Sequence, residues 1–296
     1  MSDVYAEKKR PLPLSLLKLM RPKQWVKNGF LFAALLFSGN LFNIDLFVLC
    51  VIGCILFSLT ASCVYIINDI GDREKDRKHP KKCRRPLASG AVSVPQAVVL
   101  LAVLLAVSFG ASVMLNIWFA AVLLVYFVFN IFYSYILKHI AIVDVISVSV
   151  SYVLRVVAGA VIISCPLSPW ILVCTFALAL LIAIQKRRGE LVSVTEGKSE
   201  GRRVLSHYSL DLLRDMGVCM GAVTITAYCL YTFQADVSAY MVLTVPFVIF
   251  GLLRYMLLAG TSGIGETPEE IVIRDKPMLV DMVFWAASCV VIIYLL

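Results

Sequence analysis

Charged residues are scarce in this sequence. Asp, Glu, Lys and Arg together make up 16% of its 296 residues, whereas they make up about a quarter of a typical soluble domain. Hydrophobic residues reach 60%, and the mean hydropathy is +0.89. This composition excludes an ordinary soluble globule and indicates a protein whose surroundings are largely lipid.

The usual cysteine and histidine patterns of metal sites and disulfide frameworks are also missing. None of the nine cysteines forms a C-x-x-C pair, and most lie in apolar stretches, where a thiol packs as a small hydrophobic group. The three histidines, His79, His139 and His207, are too scattered for a shared metal site. The residues up to Lys18 are polar and basic and contain no short apolar core, so we do not expect a cleaved signal peptide.

Nine apolar segments approach the length that crosses a bilayer, which is about 20 residues. They predict an all-α polytopic membrane protein with nine transmembrane helices, forming a single domain over residues 1–296. The predicted spans are 25–41, 46–67, 94–115, 118–137, 140–163, 167–184, 217–233, 237–258 and 278–296.

The basic residues predict how these spans are oriented. Lys and Arg concentrate before the first span and after the second, fourth, sixth and eighth, whereas the opposite loops carry none. The positive-inside rule then places the N-terminus in the cytoplasm. The net charge of +8 is explained by orientation and by anionic headgroups, so we do not expect nucleic acid as a partner. Two cytoplasmic connections, 68–93 and 185–216, are long and charged, and we predict that they cap a functional site.

An acidic segment directly follows the second span. If the helix continues, Asn68, Asp72 and Asp76 lie at i, i+4 and i+8, and Asp69 lies close to the same face. Carboxylates this close repel one another unless a cation neutralises them. Oxygen ligands at this spacing suit Mg²⁺, which normally keeps waters and bridges to substrate phosphates. These four residues therefore predict a Mg²⁺ site. The alternative is a solvated acidic loop paired with neighbouring Arg and Lys residues.

Basic residues follow the acidic segment. Arg84 and Arg85 come after Lys81 and Lys82, and arginine can bind phosphate oxygens through two parallel hydrogen bonds. Enzymes usually stabilise a diphosphate leaving group with a metal ion beside such side chains. Segment 68–93 therefore predicts an enzyme that acts on a diphosphate.

These motifs resemble the first signature of the UbiA-type intramembrane prenyltransferases. The matching pattern is Asn68-Asp69-x-x-Asp72-x-x-x-Asp76 followed by Arg85-Pro86-Leu87-x-x-Gly90. Further similar segments are Tyr133-Ser134-Tyr135-x-Leu137-Lys138, Asp144-Val145 and Leu154-Arg155-x-x-Ala158-Gly159. The resemblance covers nearly the whole chain and implies the nine-helix bundle of that family.

One branch of the family, the decaprenyl-phosphate phosphoribosyltransferases, is a sharper match. The segments similar to it are Arg21-Pro22-x-Gln24-Trp25-x-Lys27-Asn28, Lys186-Arg187-x-x-Glu190-Leu191 and Pro268-Glu269-Glu270-Ile271-x-x-Arg274-Asp275. This resemblance implies Mg²⁺-dependent transfer of a 5-phosphoribosyl group from 5-phosphoribosyl diphosphate to a polyprenyl phosphate, with release of diphosphate. We predict catalytic roles for Asp69, Asp72, Asp76, Arg85, Lys186 and Glu190. We predict substrate contacts for Lys27, Asn28, Arg84, Tyr135, Lys138, Asp144, Arg155, Arg187 and Tyr208.

One segment departs from the pattern of the prenyl-transferring members. These usually carry a second Asp-rich motif after the sixth span, where this chain has Lys186, Arg187, Arg188 and Glu190. A basic cluster suits a donor with an additional 5-phosphate better than a prenyl diphosphate held by two metal groups. Asp211 and Asp215 form an Asp-x-x-x-Asp pair in the same connection, and the sequence leaves open whether they bind a second metal.

Several of these candidates have simpler explanations. Lys27, Asn28 and Lys138 fit anchors at the membrane surface, Lys186 and Glu190 fit an ordinary helical ion pair, and Tyr135 and Tyr208 fit an interfacial aromatic belt.

Asp144 and Arg155 are ionisable residues in or near the fifth span, where a lone charge is costly. They are eleven residues apart, about three turns, and so share a helix face. Either they pair with each other, or Arg155 faces a polar cavity near a substrate phosphate.

Two other functions stay open. A prenyltransferase would use the same metal site to join a polyprenyl diphosphate to an aromatic or other small acceptor. A transporter or lipid-binding scaffold would use intramembrane polar residues without catalysis. In every case we expect membrane lipids as partners and an integral protein of a bacterial cytoplasmic membrane, with its site facing the cytoplasm. The resemblance also suggests a homo-oligomer.

Overall fold

The computed structural model describes residues 11–79, 82–197, 203–234, 239–261 and 274–295, and the regular elements within them are all helical. The α-helices are α1 Leu12–Leu19, α2 Phe32–Phe37, α3 Ile44–Gly71, α4 Arg73–Lys78, α5 Val94–Leu115, α6 Ile117–Tyr135, α7 Val143–Ile162, α8 Pro169–Thr195, α9 Leu210–Gln234, α10 Val245–Thr261 and α11 Lys276–Leu295. Short 3-10 helices cover Pro22–Leu31, Lys82–Arg84, Leu137–His139, Arg203–His207 and Ala239–Thr244.

Eight helices in the described ranges are long and apolar enough to cross a membrane. They correspond to the second through ninth predicted spans, so the all-α polytopic fold is confirmed. The first predicted span is built differently, because a 3-10 helix over Pro22–Leu31 runs into the short helix α2. The count of nine spans and the cytoplasmic N-terminus therefore stay predictions.

Polar side chains explain why the 3-10 helix over Pro22–Leu31 is not a plain membrane helix. The Trp25 indole donates to the Ser62 hydroxyl at 3.1 Å, and the Asn28 amide donates to the Ser58 hydroxyl at 2.8 Å. Each of these polar groups needs a partner inside the protein, because lipid offers none. The segment is therefore held against α3 by specific hydrogen bonds as well as by packing.

Gly159 of α7 allows the same segment to pack closely against a second helix. A Cβ atom at this position would collide with the carbonyl oxygen of Leu31. Only glycine permits so close an approach of two backbones. The contact brings Asn28, three residues before Leu31, next to Arg155 of α7.

Helices α3 and α8 are longer than a membrane requires. With 28 and 27 residues they measure about 42 and 40 Å, against a hydrocarbon core of about 30 Å. Their C-terminal ends lie on the same side of the bundle, which we call the charged end. The Tyr135 hydroxyl at the end of α6 lies 3.3 Å from where a Cβ of Gly71 would be, and Asp144 at the start of α7 binds Arg187 of α8. Both predicted site segments therefore meet the charged end.

Candidate active site

Two buried acids and two arginines form a carboxylate cluster at the charged end. Asp69 in the last turn of α3 is 2% exposed, and Asp76 in α4 is 4% exposed. Arg85 Nη1 donates to Asp69 Oδ1 at 3.1 Å and to Asp76 Oδ2 at 2.6 Å, and Arg21 Nη2 donates to the same Asp69 oxygen at 2.5 Å. The carboxylate cluster, defined by these four residues, brings Asp69, Asp76 and Arg85 together as predicted site residues.

The face that forms differs from the expected one. A continuous helix would have grouped Asn68, Asp72 and Asp76, but the chain turns at Asp72, whose φ is −92° and ψ is 3°. Asp69 and Asp76 meet instead. Asp72 is half-buried, and its carboxylate makes no hydrogen bond or ion pair to any residue that the structure describes.

The donor set of the carboxylate cluster fits a divalent cation. The carboxylates of Asp69 and Asp76 come from separate turns but converge, because one oxygen of each lies within 3.1 Å of the same nitrogen, Arg85 Nη1. The described ranges contain no group of three or more Asp, Glu, His or Cys side chains arranged for a metal. Mg²⁺ does not require one, since it usually binds through one or two carboxylates and completes its shell with water and substrate phosphate.

Arg155 is held deep in the bundle by neutral groups. Its guanidinium donates to Asn28 Oδ1 at 2.8 Å, to the Ser151 carbonyl at 2.6 Å and to the Tyr126 hydroxyl at 3.1 Å. The rings of Phe57, Tyr126 and Tyr152 lie 5.1–5.4 Å from its central carbon, a cation–π geometry. This arrangement satisfies a buried cation through hydrogen bonds and aromatic faces.

Of the two alternatives for Asp144 and Arg155, the ion pair between them does not form. Asp144 is fully buried and accepts from Arg187 Nε at 2.7 Å and from the Tyr208 hydroxyl at 2.7 Å. Arg187 also donates to Glu190 Oε2 at 2.6 Å. Asp144 lies in the first turn of α7, where α8 passes closely, whereas Arg155 lies three turns deeper. These four residues, Asp144, Arg187, Glu190 and Tyr208, form a second ion network that joins α7, α8 and the chain before α9.

Tyr208 fixes an unusual backbone turn within the second ion network. Its hydroxyl accepts from the Ile142 amide at 2.6 Å while it donates to Asp144. Ile142 has a φ of 69°, a conformation that β-branched residues rarely adopt. Burial raises the pKa of Tyr208 to about 12, so the phenol stays protonated and keeps donating at neutral pH. The polar atoms of Asp144 and Tyr208 are therefore already engaged by groups of the protein.

The other predicted residues occupy more exposed positions. Arg84 and Tyr135 are exposed, and Lys27, Lys138 and Lys186 are half-buried. Asp211 and Asp215 are 83% and 66% exposed at the side chain, and both pair with Arg214, at 3.2 and 3.0 Å. Most of segment 268–275 lies outside the described residues. Within the described part of this segment, Asp275 accepts from Nε and Nη2 of Arg254, at 3.2 and 2.8 Å.

Two residues that matter to these clusters were absent from the predicted site. Arg21 opens the segment Arg21-Pro22-x-Gln24-Trp25-x-Lys27-Asn28, and the proline that follows it is a turn signal. The structure shows it with a φ of 55° and its guanidinium 5.0 Å from the Tyr65 ring. Tyr126, which binds Arg155, carried no signal, because a tyrosine inside an apolar helix is typical of packing.

The UbiA prenyltransferase family matches residues 29–263 of this chain. Because the match covers most of the sequence, the protein belongs to the UbiA prenyltransferase family. Its membership and its full-length relatives identify it as a transferase. This decides against a transporter or a lipid-binding scaffold.

A more particular likeness is to the decaprenyl-phosphate phosphoribosyltransferases. The protein of that name from Mycobacterium tuberculosis is 32% identical over 293 residues, covering 97% of this chain and 96% of its own length. The one from Corynebacterium glutamicum is 32% identical over 303 residues, covering 98% and 91%. The resemblance to this branch is thereby confirmed.

A solved structure shares the fold. It is a UbiA homolog from Archaeoglobus fulgidus bound to GPP and Mg²⁺, with a TM-score of 0.71 at 22% identity, covering 94% of this chain and 99% of its own. At that identity the likeness shows the architecture of the bundle.

Proposed function

We propose that this transferase moves the 5-phosphoribosyl group of 5-phosphoribosyl diphosphate to a polyprenyl phosphate and releases diphosphate. The observation that carries the proposal is the carboxylate cluster, in which Asp69 and Asp76 converge on one nitrogen of Arg85 while Arg21 also binds Asp69. Such a site suits a diphosphate leaving group. The names of the full-length relatives favour the phosphoribosyl donor and the lipid phosphate acceptor.

The proposed reaction is a substitution at the anomeric carbon of the ribose. The bond from that carbon to the diphosphate oxygen breaks, and its electron pair leaves with the diphosphate. A phosphate oxygen of the lipid forms the new bond to the same carbon. The acceptor is a phosphate monoester that is already anionic near neutral pH, so positioning matters more than a general base.

Mg²⁺ is the proposed cofactor. Asp69, Asp72 and Asp76, with the Asn68 amide oxygen, are the residues that would hold it. When bound, it would neutralise the charge that develops on the departing diphosphate. The Mg²⁺ in the Archaeoglobus fulgidus homolog supports this choice. Arg21 and Arg85 are already in contact with the two buried acids, so they stand where diphosphate oxygens would meet positive charge.

The proposed acceptor and donor reach the charged end by different routes. The polyprenyl tail would stay in the bilayer and place only its phosphate at the carboxylate cluster. The sugar donor would arrive from the cytoplasm, if the predicted orientation holds. Lys27, Arg84, Lys138 and Lys186 are proposed to assist phosphate binding at this surface.

Prenyl transfer to an aromatic or other small acceptor is the second candidate. It is favoured by one observation, the GPP bound in the homolog with the same fold. That chemistry would use the carboxylate cluster with the roles of lipid and soluble partner exchanged.

An assay with the purified protein separates the two candidates. Labelled 5-phosphoribosyl diphosphate and polyprenyl phosphate should give a ribosylated lipid in the presence of Mg²⁺, and chelation should stop the reaction. The absence of this lipid, together with product from a prenyl diphosphate and an aromatic acid, would establish the second candidate instead.

The metal role is tested by Asp72→Ala, with Asp45→Ala as the matched control. Asp45 is an exposed aspartate at the opposite end of the same helix. We expect Asp72→Ala to lower turnover at least about 1000-fold, because loss of the metal removes roughly 4 kcal/mol of transition-state stabilisation. Asp45→Ala should keep its activity. Preserved turnover in a folded Asp72→Ala protein would contradict the metal role.

A further inference from the structure

Arg187 and Arg188 are adjacent in α8 but have different surroundings. Arg187 is 3% exposed and is bound by the carboxylates of Asp144 and Glu190. Arg188 is half-buried and forms no ion pair with the residues that the structure describes. Its Nε is buried and finds no hydrogen-bond partner in the part of the chain that the structure describes. Of these two adjacent arginines, Arg188 is therefore the one available to an anionic ligand, while Arg187 is already neutralised by the protein.

Gln185, one turn earlier in α8, also carries a buried polar atom that lacks a described hydrogen-bond partner. It is 3% exposed, and its buried carboxamide oxygen accepts no hydrogen bond from any described residue. Residues three apart on an α-helix are neighbours on its surface, so Gln185 and Arg188 lie side by side. Buried polar atoms are nearly always paired, because an unpaired one loses its hydration without compensation. Two such atoms on one turn indicate a ligand that supplies the partners.

Glycines of neighbouring helices give both side chains their room. A Cβ at Gly217 of α9 would lie 2.7 Å from Gln185 Nε2, and a Cβ at Gly260 of α10 would lie 3.3 Å from Arg188 Nη1. Any larger residue at Gly217 would displace the carboxamide. The polar ends of Gln185 and Arg188 are thus seated over backbone from two different helices.

The two unpaired groups require a ligand with both kinds of hydrogen-bonding atom. Arg188 Nε needs an acceptor, and a guanidinium binds phosphate oxygens through charge-assisted hydrogen bonds. The Gln185 carboxamide oxygen needs a donor, which a sugar hydroxyl provides. A prenyl diphosphate has phosphate oxygens but no hydroxyl, so it would satisfy only Arg188. A phosphorylated sugar satisfies both.

We propose that Gln185 and Arg188 form the sugar-phosphate subsite of this transferase. Arg188 binds the 5-phosphate of the donor, and the Gln185 carboxamide binds a ribose hydroxyl. This inference rests on the proposed function, because it assumes a 5-phosphoribosyl donor. It makes these two residues determinants of donor specificity, separate from the carboxylate cluster that holds the diphosphate.

The test compares two donors on the full-length protein. One is 5-phosphoribosyl diphosphate, and the other is ribosyl diphosphate, which lacks only the 5-phosphate. Arg188→Gln should lower kcat/KM about 10- to 100-fold for the first donor, the usual cost of a lost charged hydrogen bond. It should change kcat/KM less than about twofold for the second, because the missing phosphate leaves nothing for Arg188 to bind. Arg203→Gln is the matched control, an exposed arginine in the same connection, and should behave as wild type with both donors.

A second measurement separates ligand binding from structural support. Gln185→Met keeps the length of the side chain and removes the unpaired polar atoms, which relieves their desolvation. The donor-free variant should therefore melt at the same or a higher temperature than wild type, while the stabilisation by 5-phosphoribosyl diphosphate shrinks. A lower melting temperature with an unchanged donor effect would give Gln185 a purely structural role.

The outcomes distinguish this inference from the proposed function. If wild type makes ribosylated lipid but Arg188→Gln lowers kcat/KM equally for both donors or for neither, the subsite is wrong and the reaction stands. If wild type makes no ribosylated lipid, both the reaction and the subsite are overturned.

Discussion

The two charged segments of this protein both pair their buried charges, but they leave different side chains without a partner. In segment 68–93, the buried acids Asp69 and Asp76 are paired with two arginines, and the half-buried side chain of Asp72 is left with no described partner. In segment 185–216, Arg187 is bound by Glu190 of the same segment and by Asp144 of α7, and Arg188 is left without an ion pair among the described residues. In the first segment the carboxylate of Asp72 stays unpaired beside Arg73, whose buried Nε also has no hydrogen-bond partner among the described residues, and in the second the guanidinium of Arg188 stays without an ion pair. We propose that the first helix end binds a cation and the second an anion.

The largest expected effect tests the catalytic side of this comparison. Asp76→Asn removes one of the two acids that face Arg85, and we expect kcat to fall about 1000-fold, roughly 4 kcal/mol, if the pair holds the metal. Folding should survive, because Arg85 is 29% exposed and keeps its contact with Asp69. Turnover rates and melting curves check both statements. Asp215→Asn, an exposed acid in α9, is the control, and an equal loss there would remove the distinction.

For Asp144 we expect a loss of stability, whereas for Asp76 we expect a loss of turnover. Asp144→Ala leaves Arg187 buried without one of its two carboxylates and frees Tyr208, so we expect a loss of about 3–5 kcal/mol in the free energy of unfolding. Denaturation in detergent, with the exposed Asp211→Ala as reference, measures it. A stable Asp144→Ala protein that no longer binds donor would instead support the direct substrate contact expected from the sequence.

A smaller effect is expected for the hydroxyl of Tyr208. Tyr208→Phe removes the hydrogen bonds to the Ile142 amide and to Asp144, and should cost about 1–3 kcal/mol of stability. Thermal melting beside Tyr135→Phe, whose ring is 55% exposed, gives the comparison. Equal melting temperatures for the two variants would mean that the positive φ of Ile142 does not depend on Tyr208.

The smallest effect concerns a pair outside both clusters. Hydrogen bonds from Arg254 hold the pKa of Asp275 below its usual value. A lowered pKa in the folded state stabilises the protein above the ordinary carboxyl range, and this contribution disappears as the pH falls through the folded value. Asp275→Asn should therefore melt slightly below wild type at pH 7, and the difference should close as the pH falls below the ordinary carboxyl range. A difference that is constant with pH would exclude the charge as its cause.

Hydropathy predicted the helices well because lipid requires each span to be a long apolar segment. The predicted span 94–115 coincides with α5, whereas α3 continues to Gly71, four residues past its predicted end. Beyond the hydrocarbon an apolar pattern no longer marks where a helix stops. The polar 3-10 helix over Pro22–Leu31 shows the same limit, since its hydrogen bonds to Ser58 and Ser62 replace the continuous apolar surface of a span.

The ionic partners were harder to predict than the ionic residues. Asp69, Asp76, Asp144 and Arg155 were all recognised from sequence, because charges beside or inside apolar spans stand out. Arg21 meets Asp69 from 48 positions away, and Arg187 meets Asp144 from 43 positions away. Spacing along one helix carries no information about such contacts, which depend on how separate helices pack.

The extra length of α3 and α8 sets where chemistry can take place. Each helix runs about 10 Å farther than the hydrocarbon needs, and that surplus is where the acids and the arginines are found. The proposed lipid acceptor diffuses in two dimensions and the proposed sugar-phosphate donor in three, so the two can meet only at a boundary. Helices that rise past this boundary let the lipid stay anchored while its headgroup alone is handled in water. We therefore expect the enzyme to tolerate changes far along the isoprenoid chain and to respond strongly to changes in the headgroup.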